Sequence, residues 1–162
     1  MRRHVPAAIA IAAAVLATAS SCPGTSSVPG QDLLDLINGK RAAVGCPAVT
    51  GNDQLRVAAE RHAVDMRDNP AIRSDPNHLG SDGSTPPQRI GDAGFAPVSR
   101  TGEIMYWATG APGNTPQATI DWWMNSPPHK AIIETCAFTH AGVGLLYPGG
   151  TQWYTTVDFG AH

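Results

Sequence analysis

The 162-residue chain is short of basic residues, holds only three cysteines, and has no apolar run long enough to span a bilayer comfortably. Eleven Lys plus Arg stand against thirteen Asp plus Glu, and two of the eleven, Arg2 and Arg3, fall at the extreme start. Without those two the formal charge is −4. No basic stripe remains to neutralise phosphates, which excludes nucleic acid as a natural partner. The cysteines make no Cys-x-x-Cys spacing, so neither a dithiol redox centre nor a cysteine-based structural zinc site is encoded. No internal repeat is present. The length suits one domain with a core of ordinary size, expected to be a monomer, and leaves no room for a second.

The longest apolar run, Val5 to Leu16, follows the basic start Met1-Arg2-Arg3-His4. About a dozen residues is the length of a signal-peptide core, so residues 1–21 are expected to be an export signal. Two processing routes compete. Ala17-Thr18-Ala19 suits small-x-small cleavage and free secretion, whereas Ala19-Ser20-Ser21-Cys22 is similar to a degenerate lipoprotein box that would place a lipid anchor on Cys22 at the cell envelope. Residues 22–31, rich in Ser, Pro and Gly, read as a flexible linker, and the domain is expected over 32–162. Export permits a disulfide between Cys46 and Cys136. Such a bridge would close a loop of about 90 residues and contribute about 4 to 5 kcal/mol, the alternative being two separate buried thiols.

Leu33, Leu34, Ile37, Arg41 and Val44 recur at helical spacing until Gly45. Thr50-Gly51-Asn52-Asp53 has capping-box spacing ahead of a second helix with Leu55, Ala58, Ala59, His62, Ala63 and Met66 on its apolar face, ending near Asn69-Pro70. An irregular loop, Arg73 to Gly83, carries His78. Thr85-Pro86-Pro87-Gln88 signals a short third helix with a capping box, stopped by Gly94. Gly102 to Thr109 reads as a strand. Thr115-Pro116 opens a fourth helix that Pro127 and Pro128 end, with a short helical turn after His129. Two strands follow, His140 to Leu146 and Gln152 to Phe159, joined by Pro148-Gly149-Gly150, with Trp153, Thr155, Val157 and Phe159 on one face of the second. Helices, strand, helix, strands is an α+β order.

Several of these segments share a further property. Asn38 to Pro47 fits N-x-x-R-x-x-x-G-x-P. Asn77-His78 with Asp82-Gly83-Ser84-Thr85-Pro86 is similar to S-H-x-x-x-D-G-S-T-P, Gly102-Glu103-Ile104 to G-E-N-I, and Trp123 to His129 to W-M-N-S-P-G-H. Together they resemble the CAP superfamily, the cysteine-rich secretory, antigen 5 and pathogenesis-related 1 proteins, in its bacterial secreted branch. The resemblance implies a three-layer α-β-α sandwich with a central cleft where two histidines and two acidic residues converge. Carried over, it gives His78, Glu103 and His129, while the second acidic position falls on Ser126 and leaves the tetrad partial. It implies Zn²⁺ or another divalent metal at His78 and His129 for some members, the alternative being a hydrogen-bonded polar cluster. Glu103 is then a candidate third ligand, imidazole acceptor or catalytic base.

For function, the resemblance implies binding of a small apolar ligand, a sterol or fatty acid, or an envelope protein, and the partial tetrad, with no complete catalytic set, points to a non-catalytic module at the cell envelope. The alternative is a metal-dependent hydrolase with His78 and His129 on Zn²⁺ and Glu103 as base, a peptidase being one form of it that the resemblance suggests. A third reading makes the polar residues purely structural. His62 is expected in the core and His140 near the cleft rim, with His4 and the terminal His162 set aside. Ser126 beside a histidine invites a nucleophile reading, but capping by Ser-Pro-Pro explains it more simply. Trp107, Trp122, Trp123, Tyr106 and Tyr154 are expected mostly in the core, with a groove lining as the alternative.

Overall fold

The computed structural model describes Met1 and residues 29–147 and 151–162. Residues 2–28, with Cys22 and most of the expected signal peptide and linker, and the expected turn at 148–150 lie outside the described residues. Helix α1 spans Pro29–Ala43, so the last three residues assigned to the linker are already helical. There follow β1 (Thr50–Gly51), α2 (Asp53–Asp68), a 3₁₀ turn (Pro70–Ser74), α3 (Pro86–Asp92), β2 (Arg100–Thr109), α4 (Pro116–Met124), α5 (Pro127–Ile133), β3 (His140–Leu146) and β4 (Gln152–Ala161).

Local chemistry accounts for most boundaries. The Asn52 side chain accepts from the Leu55 amide and caps α2, so Thr50 is a strand residue and not the cap expected from its spacing. Thr85 and Gln88 form the expected capping box on α3. Thr115 caps α4. Pro127 and Pro128 do not merely end α4: they are the first two positions of α5, where a missing N–H costs nothing. Val44 continues the helical spacing of α1 but lies beyond its last turn and is 49% exposed.

The sheet runs β1-β3-β4-β2, antiparallel except for the short parallel β1–β3 contact. One face carries α1, α4 and α5, whose Leu33, Ile37, Ile120, Trp123 and Ile133 bury against Ile104, Val157 and Phe159. The other face carries α2 and α3. This is the three-layer α-β-α arrangement. Helix α2 buries all six residues of its expected apolar face, His62 included. It lies so close to β3 that a Cβ on Gly142 or Gly144 would strike the α2 backbone at Leu55–Arg56 or Ala59–Glu60. Strand β4 is central, so the face opposite Val157 and Phe159, with Tyr154, Thr156 and Asp158, is buried as well.

Cys46 and Cys136 are disulfide-bonded, with Cα atoms 4.8 Å apart, and tie the end of α1 to the end of α5. The buried Arg41 reinforces that seam. Its guanidinium donates to the carbonyls of Pro47 (3.0 Å), Ile133 (2.8 Å), Thr135 (2.9 Å) and Phe138 (3.0 Å). Asn38 adds two bonds to the Val49 backbone. Arg41→Leu keeps the aliphatic packing and strands those carbonyls. Guanidinium unfolding is expected to show a loss of about 2 to 4 kcal/mol, the disulfide staying intact.

Candidate functional site: a histidine cleft over a buried ion pair

Glu103 sits on β2 with its side chain turned toward α2 and α3, and only 5% of the residue is exposed. Burying a carboxylate is costly unless it is paired and hydrogen-bonded. Arg89, on α3 and equally buried, supplies both: its Nη2 donates to Oε2 at 2.8 Å and Oε1 at 3.0 Å. His78 Nδ1 donates to Oε1 at 3.0 Å. Desolvation pushes the Glu103 pKa up, but the His78 hydrogen bond and the Arg89 charge outweigh it and hold the group below the ordinary carboxylate range.

Asp158 stands directly opposite Glu103 in the β2–β4 register. It is wholly buried, and neither oxygen meets a hydrogen-bond donor among the described residues. Desolvation, then the charge of Glu103, drives its pKa well above the ordinary value. The pair is self-consistent with Glu103 ionised and Asp158 a neutral acid, whose hydroxyl can donate to Glu103. Two like charges in so small a volume would repel. Neither Asp158 nor Arg89 was singled out from the sequence as a site residue. For Asp158, the signal was a charged residue in an otherwise uncharged strand.

The loop carrying His78 is built to present it. His78 has φ +53°, a left-handed conformation that a β-substituted residue adopts at some cost. Its backbone is held at both ends, the amide donating to the Asp75 carbonyl (3.1 Å) and the carbonyl accepting from Arg89 Nη2 (3.0 Å). Arg89 Nη1 also donates to the Ser84 carbonyl (2.7 Å), and Asp65 on α2 accepts from the Ser81 amide and hydroxyl. One guanidinium therefore fixes the loop, the histidine and the glutamate.

His129, in the first turn of α5, meets Ser126 Oγ at 2.7 Å through Nδ1 and packs edge-on against Trp122. Burial, then the charge of His78, lowers its pKa. His78 and His129 line one cleft of about 390 Å³ together with Arg73, Asp75, Met105, Tyr106, Trp107 and Trp122. Each imidazole has its Nδ1 engaged, leaving Nε2 as the free nitrogen. The tryptophans divide: Trp123 and Trp153 are core, while Trp107 and Trp122 are 45% and 48% exposed and flank the cleft. Arg73 lies over the Trp107 and Tyr154 rings.

His140 does not line this cleft. It sits with Phe95 and His162 in an aromatic cluster of its own, the rings 4.4 to 5.9 Å apart, so the terminal histidine set aside on sequence is part of a packed group. The reason is strand register: His140 pairs with Gly160 next to the start of β2, whereas the cleft opens toward the other side of Glu103.

The chemical capacity of the site follows from its donors. Glu103 has both oxygens engaged and is sealed from solvent, which suits it to orient His78 better than to ligate or to take up a proton. No three His, Cys, Asp or Glu side chains come together in a metal-binding group among the described residues. Two imidazoles do not make up the three protein ligands a catalytic zinc takes. Ser126 touches a histidine, but the next two residues are prolines without N–H groups, so this helix start lacks the first backbone donors an oxyanion would need.

His62 lies beneath the cleft, wholly buried, its Nε2 3.9 Å from Glu103 and neither nitrogen hydrogen-bonded among the described residues. Burial pushes its pKa below the ordinary imidazole value. Below about pH 6.5 the unfolded chain binds a proton that the folded chain refuses, so stability is expected to fall as pH drops through that value. Denaturant unfolding at pH 7.5 and 5.5 should show this loss, with His62→Gln reducing it by about 1 kcal/mol.

The profile of the cysteine-rich secretory protein family matches residues 34–159. No curated protein sequence matches the chain. Among solved structures, an extracellular protein of Bacillus anthracis containing an SCP domain is 25% identical with a TM-score of 0.67, over 83% of this chain and 40% of that one. An outer surface protein of Borrelia burgdorferi is 23% identical with a TM-score of 0.69, over 86% and 99%. A cysteine-rich secretory protein of Staphylococcus aureus is 14% identical with a TM-score of 0.62, over 83% and 38%. The last two bear on the fold alone, and the chain spans less than half of the Bacillus and Staphylococcus proteins. With the profile covering the domain from α1 to β4, this chain belongs to the cysteine-rich secretory protein, or CAP, family.

Proposed function

We propose that this is an exported, non-catalytic binding module, secreted or anchored through Cys22, whose cleft takes a small amphipathic ligand such as a sterol or fatty acid. The observation that carries this reading is the state of Glu103. Glu103, the acid behind His78, is buried and bonded to Arg89 and His78, so the site has a recognition surface but this carboxylate is not free to act as a base. Its volume, about 390 Å³, lies in the range of small-molecule sites. The exposed Trp107 and Trp122 faces offer an apolar wall, and the Nε2 atoms of His78 and His129 offer hydrogen bonds to a hydroxyl or carboxylate head. Export is supported by the extracellular description of the Bacillus relative; among the described residues no helix is long and apolar enough to cross a membrane.

A second reading has one specific observation behind it. Both imidazoles are held through Nδ1, as metal-bound histidines are, so the two Nε2 atoms could share a divalent ion with water or ligand atoms completing its shell. Such an ion would strengthen recognition of an anionic head group. The metal-dependent hydrolase alternative has less support, because it needs the base and third ligand that Glu103 is poorly placed to be.

Native mass spectrometry with cholesterol and palmitate should show one bound ligand, lost in Trp107→Ala/Trp122→Ala at unchanged melting temperature. An empty wild-type protein across both lipids would overturn the lipid reading. Calorimetric titration with Zn²⁺ is expected to give weak binding that disappears in His78→Ala/His129→Ala. Tight binding, with chelator-sensitive hydrolysis of a peptide substrate, would reverse the order of the two readings.

A further inference from the structure

Away from the cleft, and sharing no lining residue with it, a larger groove of about 610 Å³ runs along the outer edge of β3. Strand β1 pairs with β3 only at His140 and Ala141, because Asn52 then turns the chain into α2. The last bond of that ladder is donated by the Asn52 amide to the Ala141 carbonyl at 2.9 Å. Backbone polarity alternates along a strand, so the N–H and C=O groups of Val143 and Leu145 point the same way as those of Ala141. No strand covers them among the described residues, and both residues line the groove.

Exposed sheet edges are commonly blunted by charge, proline or a covering segment. The run Ala141-Gly142-Val143-Gly144-Leu145-Leu146 contains neither a charge nor a proline. The groove is walled instead, by the start of α1 on one side, at Leu34, and by α2 on the other, at Asp53, Arg56 and Glu60. Arg56 is held by Asp53 (3.3 Å) and Glu60 (2.7 Å), which leaves that trio one negative charge in excess. Asp32 adds a second, close enough to the groove residue Tyr147 to act on its hydroxyl.

We propose that this edge is a docking site for an extended peptide that continues the sheet beside β3, with basic residues alternating with small apolar ones. Only an extended backbone matches the two-residue repeat of the open Val143 and Leu145 groups. Five residues of such a strand, about 17 Å, would cover 142–146. Alternate side chains would face Leu34 or the acidic rim of α2, which sets the apolar–basic alternation. A second copy of this domain fits less well, because its own edge is recessed between the same two helices and it would bring like charges together.

The test uses the full chain and a fluorescein-labelled peptide, Val-Lys-Val-Lys-Val-Lys, in fluorescence anisotropy. Saturable binding is expected, with affinity lower by about tenfold or more for the Val-Glu-Val-Glu-Val-Glu peptide and for a version N-methylated at alternate residues. Hydrogen exchange should show Val143 and Leu145 amides gaining protection when the peptide binds. Leu145→Pro removes an outward N–H without touching the inner ladder, and should abolish binding. Should that variant misfold, Glu60→Lys, which leaves the strand alone, should still weaken the lysine peptide. Equal affinity for the N-methylated peptide, or no saturable binding, would overturn strand addition. So would dimers in sedimentation velocity that protect Val143 and Leu145 without peptide, which would assign the edge to a second copy.

Discussion

The ion pair between Arg89 and Glu103 is the interaction on which the cleft depends. A carboxylate inside a sheet-and-helix sandwich is tolerable only with a partner of opposite charge and its oxygens bonded, and losing that partner typically costs about 3 to 5 kcal/mol. Arg89 meets both needs from α3, the element that the Thr85–Gln88 capping box starts at the end of the histidine loop. Because the same guanidinium also takes the His78 and Ser84 carbonyls, pairing the charge and shaping the loop are one event. The left-handed backbone of His78 persists because these bonds determine it from both sides.

The rest of the fold works to keep that pair in place. Strand β4 carries Asp158 opposite Glu103, and the central position of β4 between β2 and β3 makes that face wholly dry. Gly142 and Gly144 let α2 settle onto β3, which brings His62 and Asp65 under the loop. On the opposite face, Trp123 donates from its indole to the Met105 carbonyl at 3.0 Å and fixes α4 to β2. Trp122 and His129 are thereby held over the cleft from one layer while His78 comes from the other. The proposed binding role rests on that division: the buried layer is charged, and the exposed layer is aromatic and open.

Much of this was legible in the sequence, for reasons that differ by residue. The α2 face, the cap at Thr85, the helix start at Thr115-Pro116, and the disulfide partners follow from spacing and local chemistry, which act within a few residues or leave few choices. His78, Glu103, Ser126 and His129 came from resemblance, and the structure joins them as two pairs, His78 with Glu103 and His129 with Ser126, with the two histidines lining one cleft. What was missed is long-range. Spacing alone makes Thr50 a cap, but strand pairing with His140 overrides that turn-like pattern. Pro127 reads as a stop, although a proline ends one helix and opens another with equal ease. His140 was misplaced toward the cleft, since nothing local reveals sheet register. The role of Arg89 was hidden because its partners lie on a loop before it and a strand after it.

The claim most exposed to test is that Glu103 orients and does not act as a base. Carboxyl carbon-13 NMR of the full chain, followed from pH 4 to 9, resolves it by site. The account predicts a Glu103 signal that titrates below the ordinary carboxylate range and an Asp158 signal that titrates well above it. A Glu103 carboxyl that titrates near neutrality, with Asp158 ionised, would contradict it and restore a catalytic base to the cleft.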